Sequence, residues 1–103
     1  MEGKKQYKKF YQTDIWKEGF ELTKEVYNIT KDYPDNERFA LISQTRRSSN
    51  SIIANTAEAH GRFYFKDKIR VFYIVRGELE ETQSHLWLAY SQNYIKKDKW
   101  LEL

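Results

Sequence analysis

The sequence predicts an all-α fold, an up-and-down helical bundle of three long helices followed by a truncated fourth. Three observations carry this expectation. Proline occurs once and glycine four times in 103 residues, while charged residues make up 32%; a compact β domain of this size uses more turn-forming residues. A heptad runs from Ile15 through Gly19, Leu22, Val26 and Ile29 to Tyr33 in alternating steps of four and three, the pattern of a helix buried along one stripe. The stretch from Gln44 to Arg62 has no proline, and at helical pitch it carries Ser48, Ser49, Ser51, Ala54, Ala57 and Ala59 on almost every side. A helix coated in Ser and Ala lets neighbouring helices come close. This segment is therefore expected to be the central helix, with Gln44, Asn50, Asn55 and Glu58 needing hydrogen-bond partners wherever they are buried.

One helical domain is expected, preceded by a short arm, with no second domain and no internal repeat. Residues 1–12 read as a basic arm (Lys4, Lys5, Lys8 and Lys9) in which Tyr7, Phe10 and Tyr11 are available to dock onto the bundle. Residues 13–103 read as the bundle itself. Thr13 or Asp14 opens the first helix as a cap, Trp16, Phe20, Thr23 and Tyr27 widen its stripe, and Pro34 ends it. Asp35, Asn36 and Glu37 place acceptors in the first turn of the second helix. Phe39, Leu41, Ile42, Ser49, Ile52, Ile53 and Thr56 form its packed face, and Gly61 is expected to stop it in a left-handed cap. Phe63, Tyr64 and Phe65 form a connector without a Ser or Asn cap, leaving Asp67 for that purpose. The third helix is expected from about Lys66 to Asn93. Its stripe is Ile69, Phe72, Val75, Leu79, Thr82, Leu86 and Ala89, with Tyr73, Arg76, Gln83, Trp87 and Tyr90 close by. Gly77 inside it costs roughly 1 kcal/mol relative to Ala, which suggests a point of close contact with another helix. Asp98 can cap a fourth helix that has only begun at Leu103.

Composition narrows the function. There is no cysteine, so no disulfide framework and no thiolate chemistry, in keeping with a reducing compartment. The opening residues are polar, and no apolar run approaches the roughly 20 residues needed to span a membrane. A soluble, cytoplasmic protein is expected. The net charge of +3 and pI of about 9.0 tolerate nucleic acid without requiring it. Lys66, Lys68, Arg70 and Arg76 concentrate positive charge at the front of the third helix, and Glu78, Glu80 and Glu81 reverse it at once.

At these residues the chain resembles a known family. It is similar to the bacterial four-helix-bundle proteins encoded within intervening sequences of large-subunit ribosomal RNA genes, whose relatives include the accessory variability determinants of diversity-generating retroelements. The resemblance rests on Phe10, Trp16, Tyr27, Pro34 and Glu37, then on Gln44, Arg47, Ser51, Ile52, Asn55, Ala57, Glu58, Gly61 and Arg62, and on Gly77, Leu79 and Glu81. It departs from the family pattern at Ile53, Thr56, Ala59, Glu78 and Thr82, the two threonines weakening the apolar face slightly. It also departs in the shortness of the fourth helix, which leaves open a natural truncation, a gene remnant, or completion by a neighbouring subunit. The resemblance implies a homo-oligomer, commonly a pentamer closed as a five-fold ring, with a basic surface for nucleic acid. In the retroelement relatives it implies binding to a reverse transcriptase. It implies no catalytic activity.

Each candidate residue has a functional and a structural reading. Arg46, Arg47, Arg62, Lys66, Lys68 and Arg70 are candidates for contacts to RNA or DNA phosphates. For Arg46, Arg47 and Arg62 the alternative is pairing within the chain or between subunits, with Glu58 one turn before Arg62 as an example; for Lys66, Lys68 and Arg70, together with Arg76, it is a solvated helix face. Gln44, Ser51, Asn55 and Glu58 are candidates for a polar interlock between helices or at an oligomer interface. Phe63, Tyr64 and Phe65 beside Arg62 and Lys66 have the composition of a base-stacking surface, although packing of the connector into the core is the more ordinary expectation. Enzyme chemistry finds little support. His60 and His85 fall on different helices, Glu81 and His85 read as an ion pair rather than a metal site, and the Glu-x-x-His motif of di-iron bundles is missing. No cofactor and no metal are expected. The function expected is a non-enzymatic homo-oligomeric scaffold binding RNA or DNA; the alternative is a protein-interaction module docking a partner such as a reverse transcriptase.

Overall fold

The computed structural model describes residues 7–103; Lys4 and Lys5 of the basic arm lie outside the described residues. Four α-helices follow one another: α1 (Asp14–Thr30), α2 (Ser43–Gly61), α3 (Phe65–Ser91) and α4 (Lys97–Glu102). Helix α2 is the middle layer, with α1 against one side and α3 along the other. The expected all-α architecture, three long helices plus a short fourth, is what forms.

Helix α1 starts where the hydroxyl of Thr13 accepts from the Trp16 amide at 3.4 Å, with Asp14 in the first turn. Its buried residues are Gly19, Thr23, Val26, Ile29 and Thr30, and Tyr33 is buried just beyond its end. Ile15, at the head of the heptad, is exposed. The Tyr33 hydroxyl has no hydrogen-bond partner among the described residues, and burial pushes its pKa up to about 12. A single 3-10 turn, Phe10–Gln12, precedes α1. From it Phe10 meets Trp16 edge-on at 5.4 Å, and Trp16 stacks on Phe20 at 4.9 Å.

The approach to α2 is less regular than the sequence suggests. Asp35–Glu37 is a 3-10 turn and Arg38–Ile42 is a π-helical segment, with the Glu37 carboxylate accepting from the Leu41 amide at 3.4 Å. A π segment takes more residues per turn than an α-helix, so it rotates the faces of the residues it contains. Leu41 is buried, whereas Phe39, expected on the packed face, is almost fully exposed.

Along α2 the buried residues are Thr45, Ser48, Ser49, Ile52, Thr56 and Ala59. Most of these are hydroxyl residues, and their hydroxyls bond backward to their own helix. Thr45 donates to the Leu41 carbonyl at 2.6 Å, Thr56 to Ile52 at 2.6 Å, Ser48 to Thr45 at 3.2 Å and Ser49 to Arg46 at 3.1 Å. Such back-bonds satisfy a buried hydroxyl locally and leave little side-chain bulk between helices. Two contacts then cross the interfaces. Ser48 and Thr82 share a hydrogen bond of 2.7 Å between α2 and α3. Thr23 of α1 donates to the Ser49 carbonyl at 3.1 Å. Thr82, expected to weaken the packed face, is fully buried and joins two helices.

The glycines also reassign themselves. A Cβ on Gly77 would meet nothing within 4 Å, so none of the described residues approaches it closely. The close contact is at Gly19, where a Cβ would stand 3.0 Å from Ile53 Cγ2 and 3.4 Å from Ile52 Cγ2. Gly61 is the last helical residue of α2, and the chain leaves through Arg62 in extended conformation (φ −75°, ψ 138°) rather than through a left-handed cap. Lys68 performs the capping instead, donating to the carbonyls of Ala59 at 3.2 Å and His60 at 3.1 Å, where a cation opposes the helix dipole favourably.

Helix α3 begins behind Tyr64 with no side-chain cap, and Asp67 falls inside the first turn. It ends in a Schellman motif. Asn93 takes φ 64°, the Tyr94 amide donates to Ala89 at 2.9 Å and the Asn93 amide to Tyr90 at 3.0 Å. This turn folds Ile95 into a cluster with Ile29, Tyr33, Leu41, Leu86 and Ala89. Helix α4 clasps that end. Trp100 stacks on Tyr90 at 4.8 Å and meets Trp87 at 4.7 Å, while Lys99 pairs with Glu25 of α1. Asp98, expected as its cap, lies within its first turn behind Lys96.

The two glycines differ in the sign of their substitution. Gly77→Ala should raise stability by about 1 kcal/mol, since it adds helix propensity without a contact. Gly19→Val should lower it by about 1–3 kcal/mol through overpacking against Ile52 and Ile53. Urea unfolding followed by circular dichroism measures both, and equal midpoints for the two variants would contradict the packing described.

Candidate functional site

The six cations singled out from sequence separate into two groups. Four spend donors inside the chain. Arg46 turns toward α1, its Nε donating to Thr30 Oγ1 at 2.8 Å and its Nη2 to the Tyr27 carbonyl at 3.4 Å, with the guanidinium 4.7 Å from the Tyr27 ring centroid. Arg47 turns toward α3 and pairs with Glu81, and more distantly with Glu78 at 3.7 Å. Arg62 pairs with Glu58 one turn before it, and Lys68 caps α2. Lys66 and Arg70 have no partner among the described residues, and both are exposed.

Lys66 and Arg70 stand one turn apart on α3 and so share a face. Directly before them the connector presents Phe63 at 85%, Tyr64 at 68% and Phe65 at 74% exposure. The expectation that these rings pack into the core is therefore overturned. The connector is short and α3 starts at Phe65 itself, so the rings point outward from a corner that the core does not reach. Phe63 and Tyr64 meet edge-on at 4.9 Å. The corner between α2 and α3 thus combines unpaired cations with solvent-facing aromatic rings.

The polar residues proposed as an interlock form their contacts within α2. Gln44 Oε1 accepts from Arg47 Nε at 3.2 Å, Asn55 Nδ2 donates to the Ser51 carbonyl at 2.9 Å, and Glu58 holds Arg62. Within the single chain the links between helices are made by other residues: Ser48 with Thr82, Thr23 with the Ser49 carbonyl, Arg46 with Thr30, Arg47 with Glu81. A residue's polarity was visible in the sequence, but its angular position to within one residue was not. Tyr94 adds a further link, donating to Glu37 Oε2 at 2.9 Å.

Among the described residues no group of three or more His, Asp or Glu side chains converges on a metal-binding geometry, and no helix is long and apolar enough to cross a membrane. His85 and Glu81 form the expected pair at 3.2 Å. In comparisons with known proteins, the family model described as 23S rRNA-intervening sequence protein matches residues 11–103. No curated protein matches the chain.

The Arg47 cluster carries a pH dependence. The Glu78 side chain is 20% exposed. Its pKa is raised, first by burial and then by the neighbouring Glu81, with Arg47 pulling the other way. A carboxyl whose folded pKa is raised contributes stability that is fully present below the ordinary carboxylate range. That contribution is lost as pH rises through the folded value, so ionised Glu78 is a net cost at neutral pH. Glu78→Gln should accordingly unfold at higher urea than wild type at neutral pH, and the difference should vanish in acid. Coincident midpoints at neutral pH would refute this account.

Proposed function

The chain belongs to the 23S rRNA-intervening sequence protein family, and on that premise we propose that it is a non-catalytic, self-associating helical scaffold that binds single-stranded RNA or DNA at the α2–α3 corner. The observation that carries the reading is the exposure of Phe63, Tyr64 and Phe65 beside Lys66 and Arg70, cations that nothing in the described chain neutralises. Rings left in water cost hydrophobic free energy. Their exposure is accounted for by an occupant with a flat apolar face and a negative charge. Unpaired bases on a phosphate backbone have both, and a stacked base contributes about 1–3 kcal/mol.

The arginines on α2 have a secondary part in this reading. Arg46 links α2 to α1 and Arg47 links α2 to α3. Arg62, paired with Glu58 and adjoining Phe63, is positioned to exchange its carboxylate for a phosphate. Lys8 and Lys9 of the arm are exposed and add to the long-range attraction. Duplexes are disfavoured as ligands because their bases are already stacked and their faces covered.

Fluorescence anisotropy with a labelled single-stranded oligonucleotide, taken through a salt series, tests the proposal. Affinity should fall steeply as salt rises. Lys66→Ala with Arg70→Ala should flatten the slope by about 0.7 per cation. Phe63→Ala with Tyr64→Ala should weaken binding about tenfold or more at every salt concentration. No binding at low salt, or a loss of affinity that ignores both pairs of substitutions, would overturn the reading and favour a protein partner instead.

A further inference from the structure

A cavity of about 600 Å³ opens between α1 and α2, lined by Phe20, Tyr27, Asn28 and Lys31 of the first helix and its end, and by Asn50 and Ile53 of the second. Ile53 stands about two helical turns before Gly61, and neither the connector rings nor Lys66 and Arg70 line the cavity. Phe20 and Tyr27 are 38% and 43% exposed, and they stand about 10 Å apart along one face of α1. The Tyr27 ring is held in place. The Arg46 guanidinium lies 4.7 Å from its centroid and is itself fixed by Thr30 Oγ1 at 2.8 Å and the Tyr27 carbonyl at 3.4 Å. The cavity also contains carboxylates, and both are answered within the chain: Glu21 by Lys24 at 3.5 Å, and Glu25 by Lys99 of α4. Lys31 forms no ion pair among the described residues. The exposed amides of Asn28 and Asn50 take part in none of the hydrogen bonds that the side chains of α1 and α2 make around them.

We propose that this cavity binds an adenosine monophosphate group, with its base stacked on the Tyr27 ring, its base edge on the Asn50 amide, its ribose beside Asn28 and its phosphate on Lys31. The argument is the set of groups left unsatisfied in one place. A fixed, half-exposed ring offers a flat apolar face, and because Arg46 already orders it, little conformational freedom remains to be lost on binding. An amide offers a donor and an acceptor together, the pattern that adenine answers with N7 and N6. A lone cation calls for an anion. A purely apolar ligand would leave the amides and Lys31 unanswered, and a simple anion would leave the ring bare. A volume of about 600 Å³ falls within the range of pockets that hold small organic ligands, about 300–1,000 Å³. Tyr27 and Lys31 stand one turn apart on one face of α1, while Asn50 approaches from α2. Base and phosphate are thus addressed from α1, and the base edge is read from across the groove. The same group occurs as the free nucleotide and as the 5′ end of a strand.

Titration of the full chain with AMP, followed by amide chemical shifts, provides the test, with circular dichroism confirming that each variant keeps its helices. Shifts should concentrate around Tyr27, Lys31 and Asn50. Tyr27→Leu, which keeps apolar bulk but removes the ring, should weaken AMP about tenfold. Lys31→Ala should weaken AMP about threefold and leave adenosine, which has no phosphate, unchanged. The 7-deaza analogue of AMP lacks the N7 acceptor; it should bind wild type about threefold more weakly than AMP, and Asn50→Leu should bind the two alike. Phe63→Ala with Tyr64→Ala should leave AMP binding intact, which separates this cavity from the corner. In that double variant, an oligonucleotide that binds better with a 5′-phosphate than with a 5′-hydroxyl would identify a strand end as the source, and indifference to the 5′-phosphate would identify the free nucleotide. Absence of shifts with millimolar AMP, or shifts confined to the corner, would overturn the proposal and leave strand binding at the corner standing. Equal losses for AMP and adenosine in Lys31→Ala would overturn the placement of the phosphate.

Discussion

The structure depends on how α2 tolerates burial on both sides. A helix enclosed by neighbours ordinarily presents large apolar side chains around its circumference. Here the enclosed residues are mainly Thr and Ser, with Ile52 and Ala59. This is stable only because each hydroxyl finds an acceptor without leaving its own helix. Thr45, Ser48, Ser49 and Thr56 all donate to carbonyls three or four residues earlier. A buried hydroxyl left without a partner costs on the order of 1–3 kcal/mol. Local bonding removes that cost while keeping the side chain small, and small side chains set the distance at which α1 and α3 can approach.

That close approach governs what the cations do. Arg46 and Arg47 are adjacent in sequence, and successive helical residues diverge around the axis, so one faces α1 and the other α3. Arg46 reaches the last carbonyls of α1, where a positive charge is favoured by the helix dipole. Arg47 reaches the carboxylates of α3. Each arginine ties α2 to one neighbour at the surface while the hydroxyl contacts hold the interior. Of the six cations singled out from sequence, the two without a partner among the described residues, Lys66 and Arg70, stand at the corner, away from the acidic middle of α3. The charge reversal along α3, visible in the sequence as Arg70 and Arg76 followed by Glu78, Glu80 and Glu81, thereby becomes a division of labour along one helix.

Much of the fold was legible because it follows from short-range rules. The Thr13 cap, the break at Pro34 and the small-residue character of α2 all depend on a few neighbouring residues. What the sequence concealed were effects of phase. The π segment at Arg38–Ile42 rotates Phe39 into solvent, and no hydrophobic periodicity announces an extra residue in a turn. Gly77 looked like the site of close contact because glycine is costly in a helix, yet Gly19, lying on the heptad, is the one that Ile53 crowds. Thr82 looked like a flaw in an apolar stripe because its hydrogen-bond partner, Ser48, is remote in sequence. The corner illustrates the same difficulty. Its aromatic and basic residues were identified from sequence, but whether Phe63, Tyr64 and Phe65 faced the core or the solvent depended on where α3 begins.

Helix α3 explains why the stripe on that segment was ambiguous. Apolar residues occur around most of its circumference, so one periodicity cannot describe it. Val71, Val75, Leu86 and Ala89 pack toward the rest of the chain, and Val71 was absent from the expected stripe. Ile69, Tyr73 and Trp87, placed beside or on that stripe from sequence, face outward instead. Helix α3 is thus buried on one side by its own chain and carries exposed apolar residues on another. The same logic separates α3 from α2. Helix α2 meets its two neighbours with hydroxyls that satisfy themselves. Helix α3 carries charges, Arg76 and Glu80 among them, that form no ion pair among the described residues.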